Sequence, residues 1–398
     1  MNIKQWCAPY LRQAKEEREY LHSFPELSYK EFETTNYIEQ QLTQSGILVE
    51  RPLETGCVAI IEGDIISDRV VALRADIDAL PIHEEGEAKA DFFSTHSGVA
   101  HCCGHDAHTA NLLGVARVLA KHTSVLSGKV LLIFQPGEEK LPGGGRLLCE
   151  TGWLQKYPIQ QIFGLHTSPS HSPGTIAIRL GELMAAPDEF QMIVRGVGGH
   201  AARPHEAVDP VLIASECISS FQTIVSRSID PTEAAVVTVG RIEGGTAHNI
   251  IPEMVQLWGT IRTFSSATAK RVEQRMQQIC EGIAQAHEAE ISLIINKGYP
   301  AVINDEKAAR EVIKHANHLF EPDKIVEIER PIMAGEDFSF YQQYFPGAFF
   351  FVGSGAQESD STYVWHHPKY NVDPGFFDVA MPLMVSLALG ESDKAGLD

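Results

Sequence analysis

The spacing of apolar and polar positions changes character along the chain. Over 30–42, Phe32, Tyr37, Ile38 and Leu42 recur at mostly helical spacing, and Gly46 supplies a stop. Short, wholly apolar runs at 70–73, 130–134 and 162–165 predict strands buried on both faces. Between the first two, 109–119 predicts a helix with Leu112, Val115 and Leu119 on one side. Strands alternating with helices argue for an α/β layer structure: a mixed, largely parallel sheet flanked by helices.

The middle of the chain follows another order. Strands are predicted over 189–194, 234–241, 254–264 and 291–295, with helices over 210–225 and 267–286 between them. Asp209 before Pro210 is a helix-start signal. The second helix places Val272, Met276, Ile279 and Ile283 on one stripe. This β-α-β-β-α-β order suits a smaller α+β module inserted into the larger domain. The expected division is 1–185 and 298–398 for the larger domain and 186–297 for the insert. The larger domain resumes with a helix over 305–319, a strand over 349–352 and a final helix over 374–389.

Composition narrows the function. Thirty-two Lys and Arg against 52 Asp and Glu give a formal charge of −20, which repels a phosphate backbone, so no nucleic-acid partner is expected. The first residues carry no apolar secretory segment, and no run approaches the ~18 apolar residues that cross a bilayer. Seven scattered cysteines, an odd number in a long chain, point to reduced thiols and a cytoplasmic setting rather than a disulfide framework. Seventeen His against four Trp is the imbalance that leads to the chemistry.

Three of those His lie in His101-Cys102-Cys103-Gly104-His105-Asp106-Ala107-His108. A Cys-Gly-His spacing lets one tight loop aim thiolate and imidazole into a common volume, the ligand types divalent transition metals prefer. Polar loops also contain His and small buried Cys for other reasons, and on this stretch alone both readings stand. The strand over 130–134 then runs into Gln135-Pro136-Gly137-Glu138-Glu139, and the strand over 162–165 into His166. Adjacent carboxylates at a strand end can divide the roles of metal ligand and proton acceptor. Trp365-His366-His367-Pro368 adds a further imidazole. Asp76 and Asp78 share one face of their strand, placed to orient ligating imidazoles or to form a strand-end turn. Convergence on one sheet edge, more than any single residue, favours a metal site.

With these residues assembled, the chain resembles the metal-dependent amidohydrolase branch of the aminoacylase/carboxypeptidase family. The likeness runs through Pro25-Glu26-Leu27, Arg74-Ala75-Asp76, Cys103-Gly104-His105-Asp106, Gln135 to Glu139 and Gly164-Leu165-His166. It continues through Gly198-Gly199-His200, Asn249-Ile250-Ile251-Pro252, Gly259-Thr260-Ile261-Arg262, Glu336-Asp337-Phe338 and His366-His367-Pro368. The resemblance implies a catalytic domain with two divalent metal ions (Zn, Mn, Co or Ni) and an inserted dimerisation domain. The implied ligands are Cys103, His105, Glu139, His166 and His366, with His366 aligning better than His367. Glu138 is the implied general base and Asp78 the orienting aspartate. His200 matches a residue that reaches the partner subunit's site, and Asn249 and Arg262 match positions that bind the substrate carboxylate.

The chain departs from the family pattern in Cys102 and Gly137, where Ala is common, and in Lys140-Leu141-Pro142 before the Gly run. Cys102 stands as a competing ligand or a redox-sensitive neighbour. The implied reaction is hydrolysis of an N-acyl amino acid by metal-activated water, in a homodimer or higher oligomer. N-acetyldiaminopimelate or a dipeptide is the alternative substrate. A cysteine hydrolase with Cys103 as nucleophile and His105 or His108 as base leaves Glu138, Glu139, His166 and His366 without a job. A catalytically silent binding protein has no need of Glu138.

Overall fold

The computed structural model describes residues 2–355 and 363–390. The chain divides into two compact units. The larger is Met1–Leu183 with Ile303–Arg330 and Asp337–Asp398, and the smaller is Met184–Val302 with Pro331–Glu336.

An eight-stranded sheet carries the larger unit. Its order is Leu48–Glu50, Cys57–Glu62, Ser127–Gln135, Ile65–Asp76, Gln161–Ser168, Gly347–Gly353, Ile176–Ile178 and Ile325–Glu327. The four strands from Ser127–Gln135 to Gly347–Gly353 run parallel, and they contain the apolar runs at 70–73, 130–134, 162–165 and 349–352. Antiparallel pairings flank them, so the sheet is mixed. The register sets Asp76 beside Gln135 and His166 beside Phe351, which brings the ends of the parallel strands to one edge.

Helices Ile3–Ser23, His105–Lys121 and Phe377–Leu389 pack in the same apolar core as the sheet residues Val71, Leu73 and Leu132. Phe377–Leu389 is buried along its whole length except at Asp378, as a helix apolar nearly all round must be. The first helix has a weaker sequence signature. Its buried positions include Ala14, Glu17, Arg18 and His22 as well as Ile3, Cys7 and Leu21, so the apolar stripe is thin.

The smaller unit is an antiparallel four-stranded sheet in the order Ala235–Gly244, Met254–Thr263, Ala186–Arg195, Glu290–Asn296. Helices Pro210–Arg227 and Ser266–His287 complete the strand-helix-strand-strand-helix-strand sequence read from the pattern. Asp209 caps the first by accepting from the N–H groups of Val211 and Leu212, and Ser265 caps the second. Phe190, Phe221, Val272 and Met276 fill the core of this unit. Among the described residues, no helix is long and apolar enough to cross a membrane.

Arg74 ties the parallel strands together at their ends. Its guanidinium donates to Gln135 Oε1 at 2.9 Å, to Asp76 Oδ2 at 2.7 Å and to Asp337 Oδ1 at 2.7 Å, all out of water. Asp337 also accepts from Gln135 Nε2 and from the Gly145 N–H, at 2.8 Å and 2.9 Å. Replacing Arg74 by Met keeps much of the stem's volume but leaves two buried carboxylates without their cation. The expected cost is about 3–5 kcal/mol, read as a lowered urea midpoint, and Arg74→Lys should recover only part of it because an ammonium lacks the planar fork.

Candidate functional site

The edge where the parallel strands end collects most of the chemistry-bearing side chains. Glu138 and Glu139 follow strand Ser127–Gln135, Asp78 follows Ile65–Asp76, and His166 lies within Gln161–Ser168. Cys103 and His105 straddle the start of helix His105–Lys121. Between them Gly104 takes φ +94°, and a Cβ there would lie 2.5 Å from Thr167 Oγ1, so only glycine fits this turn. His366, itself at φ +66°, is tied to the same loop by its N–H to the Cys102 carbonyl at 2.8 Å.

Candidate ligand atoms meet in overlapping groups, each within 4.8 Å: Cys103, His105 and His166; Cys103, Glu139 and His366; His105, Glu138 and Glu139. Cys103 Sγ lies 3.4 Å from His166 Nε2, and His366 Nε2 lies 3.2 Å from Glu139 Oε1. His366 reaches this cluster, whereas the neighbouring His367 ring stacks on Tyr363 at 4.3 Å.

Hydrogen bonds fix which ring nitrogen faces inward. His166 Nδ1 lies 2.8 Å from the Thr167 carbonyl, which can only accept, so Nδ1 carries the proton and Nε2 offers a lone pair. His105 Nδ1 sits 3.0 Å from the Asp78 carbonyl and 3.2 Å from Asp78 Oδ1, leaving Nε2 directed at the cluster. Asp78 Oδ2 accepts the Glu139 N–H at 3.0 Å, so one aspartate orients both an imidazole and a carboxylate. Glu138 is buried, and its Oε1 faces the Asp337 N–H at 3.4 Å.

Burial opposes charge on His105, yet the carboxylates of Asp76, Asp78 and Glu139 push its imidazole up to about 10. Burial together with the carboxylates of Glu139, Glu138 and Asp76 holds the Cys103 thiol well above its ordinary value. A cysteine hydrolase would have no use for the Glu139 and His366 donor atoms that meet this thiol. Cys102, pushed up to about 11 mainly by burial, feels Lys89, Glu84 and Asp106 instead of the acidic cluster.

Three sequence-predicted residues belong to the smaller unit. His200 and Asn249 are exposed neighbours, joined where the Ala201 N–H meets the Asn249 carbonyl at 3.1 Å. Arg262 is half-buried on strand Met254–Thr263, where it donates to Thr260 Oγ1 at 2.5 Å. Pattern reading left Arg74, Gln135, Asp337 and Tyr341 without roles, although they form the scaffold beneath Glu138. Tyr341 donates to Gln135 Oε1 at 2.9 Å. The motif Glu336-Asp337-Phe338 was the available signal.

Comparison with known proteins agrees with this geometry. Residues 72–388 match peptidase family M20/M25/M40. N-acetyl-L-cysteine deacetylase of Bacillus subtilis is 42% identical over 96% of this chain and 87% of its own length. A second B. subtilis protein, N-acetylcysteine deacetylase, is 37% identical over 93% and 94%. The crystal structure of a B. subtilis dinuclear metal binding peptidase is 33% identical, with a TM-score of 0.82 over 96% of this chain and 98% of its own.

The residues present fit divalent metal ions. Among the described residues, His105 Nε2 and Glu139 Oε1 are buried polar atoms with no hydrogen-bond partner, at a place whose carboxylates favour positive charge. Thiolate, imidazole and carboxylate donors together suit transition metals. From the motif match, the identity along nearly its full length and the shared fold, the chain belongs to peptidase family M20/M25/M40.

Proposed function

We propose that this protein hydrolyses the amide bond of N-acyl amino acids, N-acetyl or related, to a carboxylate and a free amino acid. The observation that carries this reading is a buried carboxylate, Glu138, beside a Cys/His/Glu donor set. Relatives named for removing acetyl groups from N-acetylcysteine support the substrate class.

Cys103, His105, Glu139, His166 and His366 would hold two divalent ions, drawn from Zn, Mn, Co and Ni. Bound ions supply Lewis acidity towards the amide carbonyl and bring the acidity of water into the neutral range. Glu138 takes the proton from the attacking water and delivers it to the leaving nitrogen, one group serving as base and then as acid. Its burial excludes competing solvent, and the Asp337 N–H steadies one oxygen so that the other faces the reactants. Asp78 keeps His105 in the tautomer that presents Nε2.

On the smaller unit, Arg262 and Asn249 would receive the substrate carboxylate, so a few fixed groups rather than the overall charge of −20 meet the anionic substrate. His200 would stabilise the oxyanion in the partner subunit's site of a homodimer, the role the family resemblance gives it. Seven cysteines, all free and buried, support a reducing, cytoplasmic setting.

The reading is tested by turnover of N-acetyl, N-benzoyl and long-chain N-acyl amino acids, N-acetyldiaminopimelate and dipeptides. N-acyl amino acids should be turned over, and EDTA or phenanthroline should abolish that turnover. Turnover of dipeptides alone, or full activity in chelator, would overturn it. Glu138→Gln should keep its metal, measured by elemental analysis, while kcat falls about 10²–10⁴-fold. Asp78→Ala should weaken metal affinity about 10–100-fold in a chelator-dye competition.

A further inference from the structure

Residues 28–31 end the connection between the first two helices, Ile3–Ser23 and Phe32–Gln44, and supply no group to the proposed reaction. They nevertheless grip the loop that carries Glu138 and Glu139 at several points. Glu31 Oε1 accepts the Gly137 N–H at 2.8 Å. Ser28 Oγ donates to Asp78 Oδ2 at 2.7 Å, the same oxygen that accepts the Glu139 N–H. Tyr29 Oη donates to the Lys140 carbonyl at 2.6 Å and accepts the Gly143 N–H at 2.9 Å. The Lys140 carbonyl also accepts that N–H at 3.0 Å, so the phenol oxygen staples an existing turn.

Tyr29 and Gly137 meet in backbone conformations that side chains rarely adopt, at φ +65° and φ +61°. A Cβ on Gly137 would lie 2.2 Å from the Tyr29 ring. The glycine that departs from the family pattern is therefore what lets the ring lie against the loop. A left-handed tyrosine persists only where its surroundings hold it. Here they include two hydrogen bonds to the loop just beyond the carboxylate pair.

We propose that Tyr29 is a positioning residue for the reaction: its hydroxyl, bridging Lys140 and Gly143, sets the direction of the Glu138 carboxylate. The loop is pinned at 137, 139, 140 and 143, so the backbone that carries the proposed base is held on both sides of residue 138. Proton transfer depends steeply on such alignment. This inference rests on Glu138 as the base.

Tyr29→Phe removes the bridging oxygen and leaves the ring. Kinetics on an N-acetyl amino acid, metal content and the urea midpoint are compared for Tyr29→Phe, Glu138→Gln and the double variant. The expected result is a fall in kcat of about 10–100-fold with KM little changed, metal at the wild-type value and a urea midpoint lowered slightly, the protein staying fully folded under assay conditions. On the residual turnover of Glu138→Gln, the second substitution should change nothing further, because no base is left to aim. A wild-type kcat in Tyr29→Phe overturns the proposal, as does a loss that tracks missing metal or unfolded protein, or an equal loss in the Glu138→Gln background. A fully active Glu138→Gln would sink the base assignment itself. An inactive Glu138→Gln beside a fully active Tyr29→Phe sinks the positioning role alone.

Discussion

A single guanidinium, taken out of water, organises the edge of the sheet on which the chemistry sits. Burying the Arg74 charge is costly unless every donor finds an acceptor. The chain meets that demand with Asp76 from its own strand, Gln135 from the neighbouring strand and Asp337 from near the C-terminal part of the larger unit. The planar fork admits few arrangements of three acceptors, so satisfying it also fixes where those segments stand. Orientation then passes outward. Asp76 Oδ1 holds His108 Nδ1 at 2.6 Å, His108 Nε2 accepts the Thr167 N–H at 2.9 Å, and the Asp337 N–H faces Glu138.

Around this anchor the site is crowded with acids, and each is held by something specific. Burial would raise the Asp76 carboxyl, but His105, Arg74 and His108 together hold it well below the usual range. Asp78 is lowered against its own burial by His105 and Ser28. Asp337, by contrast, is raised, burial outweighing its contact with Arg74. Among the described residues, His105 Nε2 and Glu139 Oε1 are buried without a hydrogen-bond partner, and they lie where this field favours a cation. Fixed geometry with an unmet demand for positive charge is what an amidohydrolase of this family needs before substrate arrives.

Much of the fold was legible because its elements bury one kind of side chain at one period. The strand Gly347–Gly353 reads as an unbroken apolar run because both of its faces are covered. The helix Ser266–His287 reads as a stripe because one face is covered. The first helix was not legible, since its inward positions include Glu17 and Arg18, and Glu17 is matched to Arg117 only across space. Candidate ligands were legible as residue types at strand ends. Cys102 stood beside the implied ligand Cys103 as a competing ligand or redox-sensitive neighbour, yet the two feel different charged neighbours, and only Cys103 joins the cluster. The connector at 28–31 gave no signal at all, because a Ser, a Tyr and a Glu in a short polar stretch acquire meaning only from what lies opposite.

By itself the sequence determined the layer type, the order of elements and the inventory of ligating and acid–base groups, because periodicity and residue chemistry are local properties of a chain. Only the tertiary structure decided which imidazole nitrogen faces inward, that Asp78 orients both His105 and Glu139, and that Tyr29 braces the loop of Glu138. Those are matters of direction. A direction is set by hydrogen bonds between groups as far apart as Arg74 and Asp337, which spacing along the chain does not encode.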